Sequence, residues 1–590
     1  MIDLFKSLNI VLREDRKKFF FASLILIFVT LIEVFGLGLI SFLIINISDL
    51  PKAIDNASFL NKIFSFFSLP LENSLIILSI FIVLYSIFSV ILSSIALNKL
   101  SIFAQVLGGR IKSRIADYFL NLEWIKIVNS KASKNISRII NDGEEVSYVI
   151  NFSMLLFSRL ALTAIIIFFL FIFNPLITFF LVVMLSFSYL IIFFLFRSKY
   201  IINGIKTSQA LDKSLNMMTN MFGSMKEIIF FGSQKKVLSN LEKNYMDLAR
   251  VKGNNTALSQ MPRFFIDSII LIILVVGVTL ASNTEGDLTY FFTTVSIYGI
   301  AALKLLPAFQ NIFYFSSEIT QRKPHISNVT ELLVKNDHFE NIETEEVTFS
   351  REIIFNNVSY SWEGAENQSD IPLNLKIKKG EKIAIIGPTG AGKSTFIDLL
   401  LGLVEPGSGE IYIDGVKISR KNMKSYRSIF AFVPQKIFFL EDNMRENILF
   451  GAKSEITENT LLDKIMRELK FDLLFKNNKY LDSNLSDSHQ TVSGGQKQVI
   501  GTARALYRGG DILVMDEATS AMDAKLEKNI FAAIPNFGFS NLVYITHRPN
   551  LLKEFNTIYV FNNGTLEDFG TFEALKERND FLLSLLKDKR

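Results

Sequence analysis

The sequence predicts two domains, a membrane domain of six α-helical spans followed by an α/β domain. The 590 residues exceed the length that one hydrophobic core serves. Hydrophobic residues make up 49% of the chain, with 56 phenylalanines, and the apolar excess lies before about residue 315. After residue 350, short β-rich runs alternate with helical segments.

The spans are apolar segments of about 20 residues, the length that a helix needs to cross the hydrocarbon core of a bilayer. Six such segments occur, at 19–46, 74–97, 152–173, 176–196, 264–281 and 288–315. We therefore predict a membrane domain at 1–315, a polar linker at 316–350 and an α/β domain at 351–590. The charged, amphipathic N-terminal arm does not match a cleavable signal peptide.

Orientation follows from the distribution of lysine and arginine. These residues concentrate in the N-terminal arm, after span two and after span four. The positive-inside rule places those segments in the cytoplasm, so the N-terminus and the α/β domain are expected there too. The segments after spans two and four have helical patterning, which predicts that the membrane helices continue into the cytoplasm.

The bulk charge excludes one class of partner. The net charge is only +5, from 62 basic and 57 acidic residues, so we expect no nucleic-acid binding. The absence of cysteine excludes disulfides and thiolate metal sites, and four histidines leave little material for a zinc cluster.

The connection between spans one and two contains an amphipathic segment, "NASFLNKIFSFFSLP" at 56–70. It is too short to span, and two interpretations remain open. The segment forms a helix in the outer headgroup region, or a helix packed against the spans.

Four charged residues fall within or at the edge of the spans, namely Glu33, Arg159, Asp267 and Lys304. Each costs a few kcal/mol at the bilayer centre unless it is paired or hydrated. One interpretation is a hydrated cavity, in which Arg159 and Lys304 meet a pyrophosphate headgroup. The other is internal pairing, for example Glu33 with Arg159 and Asp267 with Lys304.

A glycine-rich loop, "GPTGAGKST", follows the apolar strand "KIAIIG" and precedes a helical run. That context is required of a phosphate-binding loop, whose backbone N–H groups turn toward the β- and γ-phosphates of a nucleotide. Lys393 adds a positive charge, and the Ser394 hydroxyl suits Mg²⁺. The predicted nucleotide-binding residues here are Gly387, Pro388, Thr389, Gly390, Ala391, Gly392, Lys393, Ser394 and Thr395.

Polar residues at three further strand ends complete the predicted chemistry. In "ILVMDEATS", Asp516 suits a contact to Mg²⁺ and Glu517 suits a base that polarises the attacking water. In "LVYITHR", His547 suits the γ-phosphate, and in "FAFVPQ" the amide oxygen of Gln435 suits Mg²⁺ or water. Tyr360 or Trp362 in "NVSYSW" is expected to stack on adenine, and the other to be core.

A second anion-binding helix start occurs in "QTVSGGQKQVI". Ser493 is a natural N-cap, and Gly494 and Gly495 let a phosphate approach the N–H groups at the positive end of the following helix. The segment lacks the Gly-Lys-Ser ending that holds a whole nucleotide.

Together these motifs resemble the ATP-binding cassette (ABC) transporters. "GPTGAGKST", "VPQ", "VSGGQKQ", "ILVMDEATSAMD" and "THR" appear in that family's order, and the resemblance covers essentially the entire chain. In the family, the helix that begins at "SGGQ", called the signature helix, closes on ATP held by another cassette. One cassette per chain therefore implies a homodimer. The resemblance implies that Trp362 stacks on adenine, that Ser394 and Asp516 bind Mg²⁺ and that Glu517 is catalytic. It implies that Gln435 senses the membrane domain, that His547 is the γ-phosphate switch and that Asp523 belongs to the loop that crosses the dimer. The residues implied to contact the partner's γ-phosphate are Ser493, Gly494, Gly495 and Gln496.

Some positions depart from the family pattern. Val492 and Met522 replace leucines, and Trp362 replaces a tyrosine. "SDSH" at 486–489 stands where exporters have Gly-Glu-x-Gly, which bears on coupling of the cassette to the membrane domain and leaves hydrolysis untouched.

The order of spans and cassette is similar to the exporter and flippase branch. In the membrane half, "LIEVFGLGLISF", "MPRFFID" and "LKLLPAFQNIF" look like bacterial flippases of lipid-linked oligosaccharides. The resemblance implies an ATP-driven flippase in the bacterial inner (plasma) membrane, acting on an amphipathic lipid-linked substrate. Export of a lipid A-type glycolipid or a hydrophobic peptide, and an ATP-gated channel or receptor, remain as alternatives. A soluble cassette ATPase does not fit six spans.

Overall fold

The computed structural model describes residues 2–47, 50–57, 61–62, 70, 73–282, 288–336, 345–360, 372–452, 459–475, 481 and 492–587. Within 185–197 and 262–293 the description of several residues is confined to the backbone. The chain divides into two compact units, Met1–Leu122 with Lys126–Glu340, and Glu123–Ile125 with Asn341–Arg590.

The part of the chain before residue 337 is mainly helical, with short turns between its helices, and most of it belongs to the first unit. Its helices are α1 (Ile2–Val11), α2 (Arg16–Ile45), α3 (Leu50–Asn56), α4 (Ser74–Leu120), α5 (Trp124–Val128), α6 (Ala132–Ser137), α7 (Gly143–Phe173), α8 (Pro175–Gly223), α9 (Met225–Phe230), α10 (Gln234–Ser282), α11 (Leu288–Gln321) and α12 (Lys323–Asn336), with one π-helical turn at Arg138–Asp142.

Each predicted span coincides with part of one of the long helices α2, α4, α7, α8, α10 and α11, except that the first span extends one residue, Asn46, past the end of α2. By length and hydropathy, the described helices able to cross a membrane are Arg16–Ile45, Ser74–Leu120, Ala132–Phe173 and Thr294–Gln321. A shorter apolar stretch covers Pro175–Met184. The helices α4, α8 and α10 contain 47, 49 and 49 residues, more than twice the length a bilayer core requires.

The boundary between spans three and four shows how sequence sets a helix start. Asn174 has an extended backbone, and its side-chain oxygen accepts a hydrogen bond from the Ile177 N–H at 3.1 Å. Pro175 follows at the first helical position, where its missing N–H costs nothing. This cap ends α7 and starts α8 with a single residue between them.

The second unit contains two sheets and surrounding helices. Its elements are β1 (Glu352–Ser359), β2 (Leu373–Lys378), β3 (Lys382–Ile386), α13 (Lys393–Leu400), β4 (Ser408–Ile413), β5 (Val416–Lys417), α14 (Met423–Ser428), β6 (Phe430–Val433), α15 (Met444–Leu449), α16 (Asn459–Glu468), α17 (Phe471–Leu474), α18 (Gly494–Arg508), β7 (Ile512–Asp516), α19 (Ala524–Ala533), β8 (Asn541–Ile545), β9 (Thr557–Asn562), β10 (Thr565–Gly570), α20 (Phe572–Arg578) and α21 (Asp580–Lys587), with 3₁₀ turns at Ile534–Phe537 and Pro549–Glu554.

The larger sheet determines where the polar strand ends meet. Its order is β10-β9-β3-β8-β7-β6, and β9, β3, β8, β7 and β6 are mutually parallel. The carboxyl ends of β3, β8, β7 and β6 therefore lie along one edge. Strands β3, β7 and β8 are almost wholly buried, which explains their continuous apolar sequences. The smaller sheet, β2-β1-β4-β5, is antiparallel.

Candidate functional site

The glycine-rich loop lies between the end of β3 and the start of α13. Gly387, Gly390 and Gly392 have φ values of 154°, 81° and 92°. A Cβ on Gly387 would stand 2.2 Å from the Phe561 carbonyl oxygen, so only glycine fits there. The loop residues Pro388, Thr389 and Gly390 are exposed, leaving this side of the loop accessible to a ligand.

Lys393 is buried in the first turn of α13, and its ammonium lies inside the loop. It donates hydrogen bonds to the carbonyl oxygens of Gly387 at 2.8 Å and Pro388 at 2.9 Å. Burial lowers the pKa of Lys393, and the charges of Glu517 and Asp516 partly oppose that shift. The loop thus carries a positive group that phosphate oxygens would draw from the carbonyls.

The two adjacent carboxylates at the end of β7 are in different environments. Burial, and then the charge of Glu517, raises the pKa of Asp516 to about 6. Glu517 has a left-handed backbone, with φ of 46°, which turns its side chain away from the strand direction. Different orientations permit the two different roles predicted from the sequence, one toward a metal and one toward water.

Glu517 is the point where the predicted polar residues meet. Its Oε2 accepts a hydrogen bond from the amide Nε2 of Gln435 at 2.9 Å, and its Oε1 lies 3.1 Å from Nε2 of His547. These residues follow β6, β7 and β8, three neighbouring strands of the parallel edge. The arrangement can hold a water molecule and receive its proton.

The donor set fits Mg²⁺ bound together with a nucleotide. Within the described residues, no three histidine, aspartate or glutamate side chains form a cluster able to hold a metal ion alone. Mg²⁺ commonly uses one or two protein oxygens and completes its shell with phosphate oxygens and water. Ser394, exposed on the first turn of α13, and Asp516 are the residues that would supply those oxygens.

The signature helix α18 begins with a complete capping box. The Ser493 Oγ accepts from the Gln496 N–H at 3.3 Å, and the Gln496 Oε1 accepts from the Ser493 N–H at 2.8 Å. The Gln496 amide nitrogen donates to the Leu474 carbonyl at 2.7 Å. Both polar atoms of the Gln496 amide are thus hydrogen-bonded, one to Ser493 and the other to Leu474 of α17, whereas Ser493 and Gly494 are exposed.

The loop after Glu517 is tied to the signature helix. The Gln498 Oε1 accepts from the Ala521 N–H at 3.0 Å, and a Cβ on Gly495 would lie 3.1 Å from the Ala521 carbonyl oxygen. The Asp523 carboxylate accepts from the Leu526 N–H at 2.7 Å and caps α19. The signature helix and the Asp523 loop therefore form one surface.

Arg548 is a charged residue of this region that is not among the site residues predicted from the sequence. Arg548 donates to Glu527 Oε2 at 2.7 Å and to the Met522 carbonyl at 3.0 Å. Glu527 is 4% exposed and also accepts a hydrogen bond from Thr519. The sequence places Arg548 beside His547, but its contact with Glu527 becomes visible only once β8 and α19 are packed together.

Two predicted elements lie outside the described residues. They are Trp362 and the "SDSH" segment at 486–489, and most of the amphipathic segment at 56–70 falls outside them as well. Tyr360 is described, and it packs half-buried against the core between the sheets. The expectation that Trp362 stacks on adenine stays a prediction.

The charged residues of the spans pair differently from both examples considered above. Lys304 of α11 forms an ion pair with Glu33 of α2. Arg159 of α7 is half-buried and forms no ion pair with the described residues. The side chain of Asp267 is not among those described. Helices α2 and α7 are joined nearby by a 3.0 Å hydrogen bond between the Thr30 and Ser158 hydroxyls.

Comparison with known proteins supports the cassette and the fold. Residues 371–520 match the family model "ABC transporter". The chain is similar to the "ATP-dependent lipid A-core flippase" of Methylobacillus flagellatus, 31% identical over 224 residues, which are 38% of each chain. It is also similar to the "Beta-(1-->2)glucan export ATP-binding/permease protein NdvA" of Agrobacterium fabrum, 31% identical over 324 residues, covering 54% of this chain and 53% of that protein. The chain thus matches about half the length, or less, of these curated relatives.

The similarity of fold extends over nearly the whole chain. A solved structure described as a bacterial Atm1-family ABC exporter with ATP bound superposes with a TM-score of 0.78 at 17% identity, covering 97% of this chain and 99% of that one. The predicted fold class is therefore confirmed. It is the ABC exporter fold, a helical membrane domain followed by an α/β nucleotide-binding domain.

Proposed function

We propose that this chain is half of a homodimeric, ATP-driven exporter that moves an amphipathic lipid-linked substrate, a lipid-linked oligosaccharide, across the bacterial inner membrane. The observation that carries the proposal is Glu517, hydrogen-bonded to Gln435 and beside His547, at the sheet edge where the glycine-rich loop begins. The N-terminus and cassette would lie in the cytoplasm.

Hydrolysis follows from what each residue would do with a bound nucleotide and Mg²⁺, which supplies charge neutralisation for the phosphates. Lys393 and the loop N–H groups would hold the β- and γ-phosphates. Gln435 and His547 would orient water, and Glu517 would accept its proton. Trp362 would stack on adenine.

Dimerisation follows from the incompleteness of the second anion site. Ser493 and Gly494 are exposed at the N-terminus of α18, but this segment lacks the lysine and hydroxyl that hold a nucleotide. We infer that Ser493, Gly494, Gly495 and Gln496 complete the γ-phosphate site of a partner subunit, with Asp523 beside them. Closing two such interfaces around ATP would provide the motion for alternating access.

The substrate assignment is supported by the membrane-half motifs and by relatives named as a lipid A-core flippase and a glucan exporter. A cargo with a polar sugar part and an apolar chain also suits membrane helices that carry the charges Glu33, Arg159 and Lys304.

The substrate class can be tested by ATPase stimulation in liposomes. The full-length protein is reconstituted with a polyisoprenyl-linked oligosaccharide, a lipid A precursor or a hydrophobic peptide. We expect the first to raise the ATPase rate above the lipid-only rate, and a fluorescent analogue of it to change leaflets only when ATP is present. Stimulation by the peptide alone would contradict the lipid-linked assignment. ATP-dependent ion conductance without leaflet exchange would favour a channel.

A further inference from the structure

An apolar cavity of about 730 Å³ lies among α2, α4, α7 and α11, the helices of spans one, two, three and six. Aliphatic and aromatic side chains form its wall, with Val34, Ile166, Phe169 and Leu170 as examples. Its polar lining side chains are those of Ser41 and Tyr85. The volume is that of a ligand site, since such pockets measure roughly 300–1,000 Å³.

The larger of these polar groups is already satisfied by the protein. The Tyr85 hydroxyl donates to the Ile32 carbonyl at 2.7 Å, and its ring packs edge-on against Phe35 with centroids 5.5 Å apart. A water molecule inside an apolar cavity needs about two to four polar partners, which this wall does not supply. The cavity is partly open at the protein surface, since the lining residues Leu31, Phe35 and Phe169 are 46%, 44% and 58% exposed, so hydrocarbon chains of a bilayer can reach it.

A charged pair stands next to the cavity on two of the same helices. Glu33 is flanked by Ile32 and Val34, which both line the cavity, and Lys304 follows the lining residue Ala301 by three positions. The apolar space is therefore adjacent to a polar position within the membrane-spanning helices. That combination matches an amphiphile, with a hydrocarbon chain in the cavity and a polar head near the ion pair.

We propose that this cavity binds the hydrocarbon chain of the transported amphiphile within a single protomer. The inference deepens the proposed function and rests on it, because it places the apolar half of the cargo. A hydrocarbon chain has no hydrogen-bonding groups and so matches a wall whose tyrosine is already bonded. In a bilayer the chain leaves one apolar environment for another, so packing rather than the hydrophobic effect stabilises the bound state.

The experiment labels the site directly. The full-length protein, without nucleotide, is placed in phosphatidylethanolamine liposomes containing a polyisoprenyl phosphate with a diazirine in its chain. After irradiation, labelled peptides are mapped by mass spectrometry. We expect label on Ile166 and Leu170, which are each 4% exposed and face the cavity, as well as on Phe180, which is 60% exposed and reports contact with bulk lipid.

Two glycine variants provide a matched comparison. A Cβ on Gly38, which lines the cavity, would meet no atom within 4 Å, and the same holds for Gly299, which does not line it. Both positions lie in helices, where leucine is favoured over glycine. Gly38→Leu should reduce labelling of Ile166 and Leu170 by about tenfold, because the added side chain occupies the space. Gly299→Leu should leave it unchanged, and Phe180 labelling should be constant.

Three outcomes would overturn the inference. The first is absence of label from Ile166 and Leu170, which a cavity filled by a second copy of the chain would give. The second is labelling of Gly38→Leu equal to that of the wild type. The third is labelling that excess unlabelled polyisoprenyl phosphate does not reduce, which a structural phospholipid site would give. ATPase and leaflet exchange are measured on the same preparations. Their persistence in wild-type protein without cavity labelling would remove this inference alone. Their absence with cavity labelling would remove the proposed function, and with it the identification of the bound chain as cargo.

Discussion

His547 Nε2 lies 3.1 Å from Glu517 Oε1 across the carboxyl ends of two adjacent parallel strands. The other carboxylate oxygen of Glu517 accepts the Gln435 amide at 2.9 Å. A carboxylate held on both oxygens by groups that can rotate toward a ligand is oriented before the nucleotide arrives. This orientation favours a role as proton acceptor, because a general base must be positioned within hydrogen-bonding distance of its water.

Glu517→Gln keeps the size of this side chain and one accepting oxygen but removes its basicity. We expect the ATPase rate to fall by about 10²- to 10⁴-fold. ATP affinity should remain within a few-fold of wild type, since the glycine-rich loop is intact. Steady-state hydrolysis and equilibrium binding of a fluorescent ATP analogue measure the two effects separately. Hydrolysis near the wild-type rate would exclude Glu517 as the base.

The Arg548–Glu527 ion pair joins the His547 loop to α19, and its loss should reduce stability. Glu527 is 4% exposed, so Arg548→Ala leaves a buried carboxylate without its cation. We expect the free energy of unfolding of the cassette to fall by about 2–4 kcal/mol, measured by urea denaturation. The double variant Arg548→Ala/Glu527→Gln should recover part of the loss because no buried charge remains. An additive double variant would indicate that the pair is not the source of the effect.

The sequence predicts the elements of this site better than it predicts the contacts among them. "KIAIIG", "FAFVPQ", "ILVMDEA" and "LVYITH" are short apolar runs bounded by polar residues, and each overlaps a strand of the larger sheet. Strand order is not encoded by such local patterns. Even so, parallel packing brings the residues that follow these strands to one edge, so the meeting of Gln435, Glu517 and His547 agrees with the chemistry expected of them.

Partners across helices are harder to predict, because they depend on helix rotation and packing. Glu33 and Lys304 are 271 residues apart, and sequence offers no basis for preferring their pairing over that of Glu33 with Arg159. The same limit applies to the cavity, whose lining comes from four helices, each with exposed apolar residues on its other faces. An apolar pattern identifies a membrane helix without indicating which face lines a space.

Lys304→Met tests the membrane ion pair. The side chains of Lys304 and Glu33 are 38% and 25% exposed, so the penalty for an unpaired Glu33 should be smaller than in a closed core. We expect a loss of about 1–3 kcal/mol, detected as a lower melting temperature in detergent. Glu33→Gln/Lys304→Met should restore most of the wild-type stability. If Arg159→Met lowers stability equally and the double variant gives no recovery, the pair does not stabilise the helices.

The stability of the nucleotide-free cassette should depend on pH through Asp398. Burial, and then the charge of Asp516, raises the pKa of Asp398 to about 6, above the usual aspartate value of 3.8. The folded state therefore binds a proton more tightly than the unfolded state. Its stabilising contribution is complete below about pH 4 and is lost as pH rises to about 6.

Asp398→Asn removes that titration without changing the size of the side chain. At pH 8 the variant should be more stable than wild type by about 1 kcal/mol, a value reduced for partial exposure of the group. The difference should shrink as the pH is lowered toward 5. Thermal unfolding in EDTA across this range measures it. A difference that grows on acidification would have the wrong sign for a raised carboxyl pKa.

Complementation between two inactive variants tests whether the signature helix serves a partner subunit. Lys393→Ala removes the phosphate-binding ammonium, and Ser493→Arg places a long cationic side chain at the exposed N-cap of α18. Each homodimer should hydrolyse ATP at about 1% of the wild-type rate or less, because each variant impairs both sites.

In a mixed dimer with shared sites, one site combines the intact glycine-rich loop of the Ser493→Arg subunit with the intact signature helix of the Lys393→Ala subunit. Co-expression with two affinity tags and tandem purification isolates this species. Its ATPase rate should exceed that of either homodimer by at least about tenfold. If each chain used its own signature helix, both sites of the mixed dimer would contain a damaged element and no activity would return. Mixing the same variants as separately purified dimers, without subunit exchange, is the matched control.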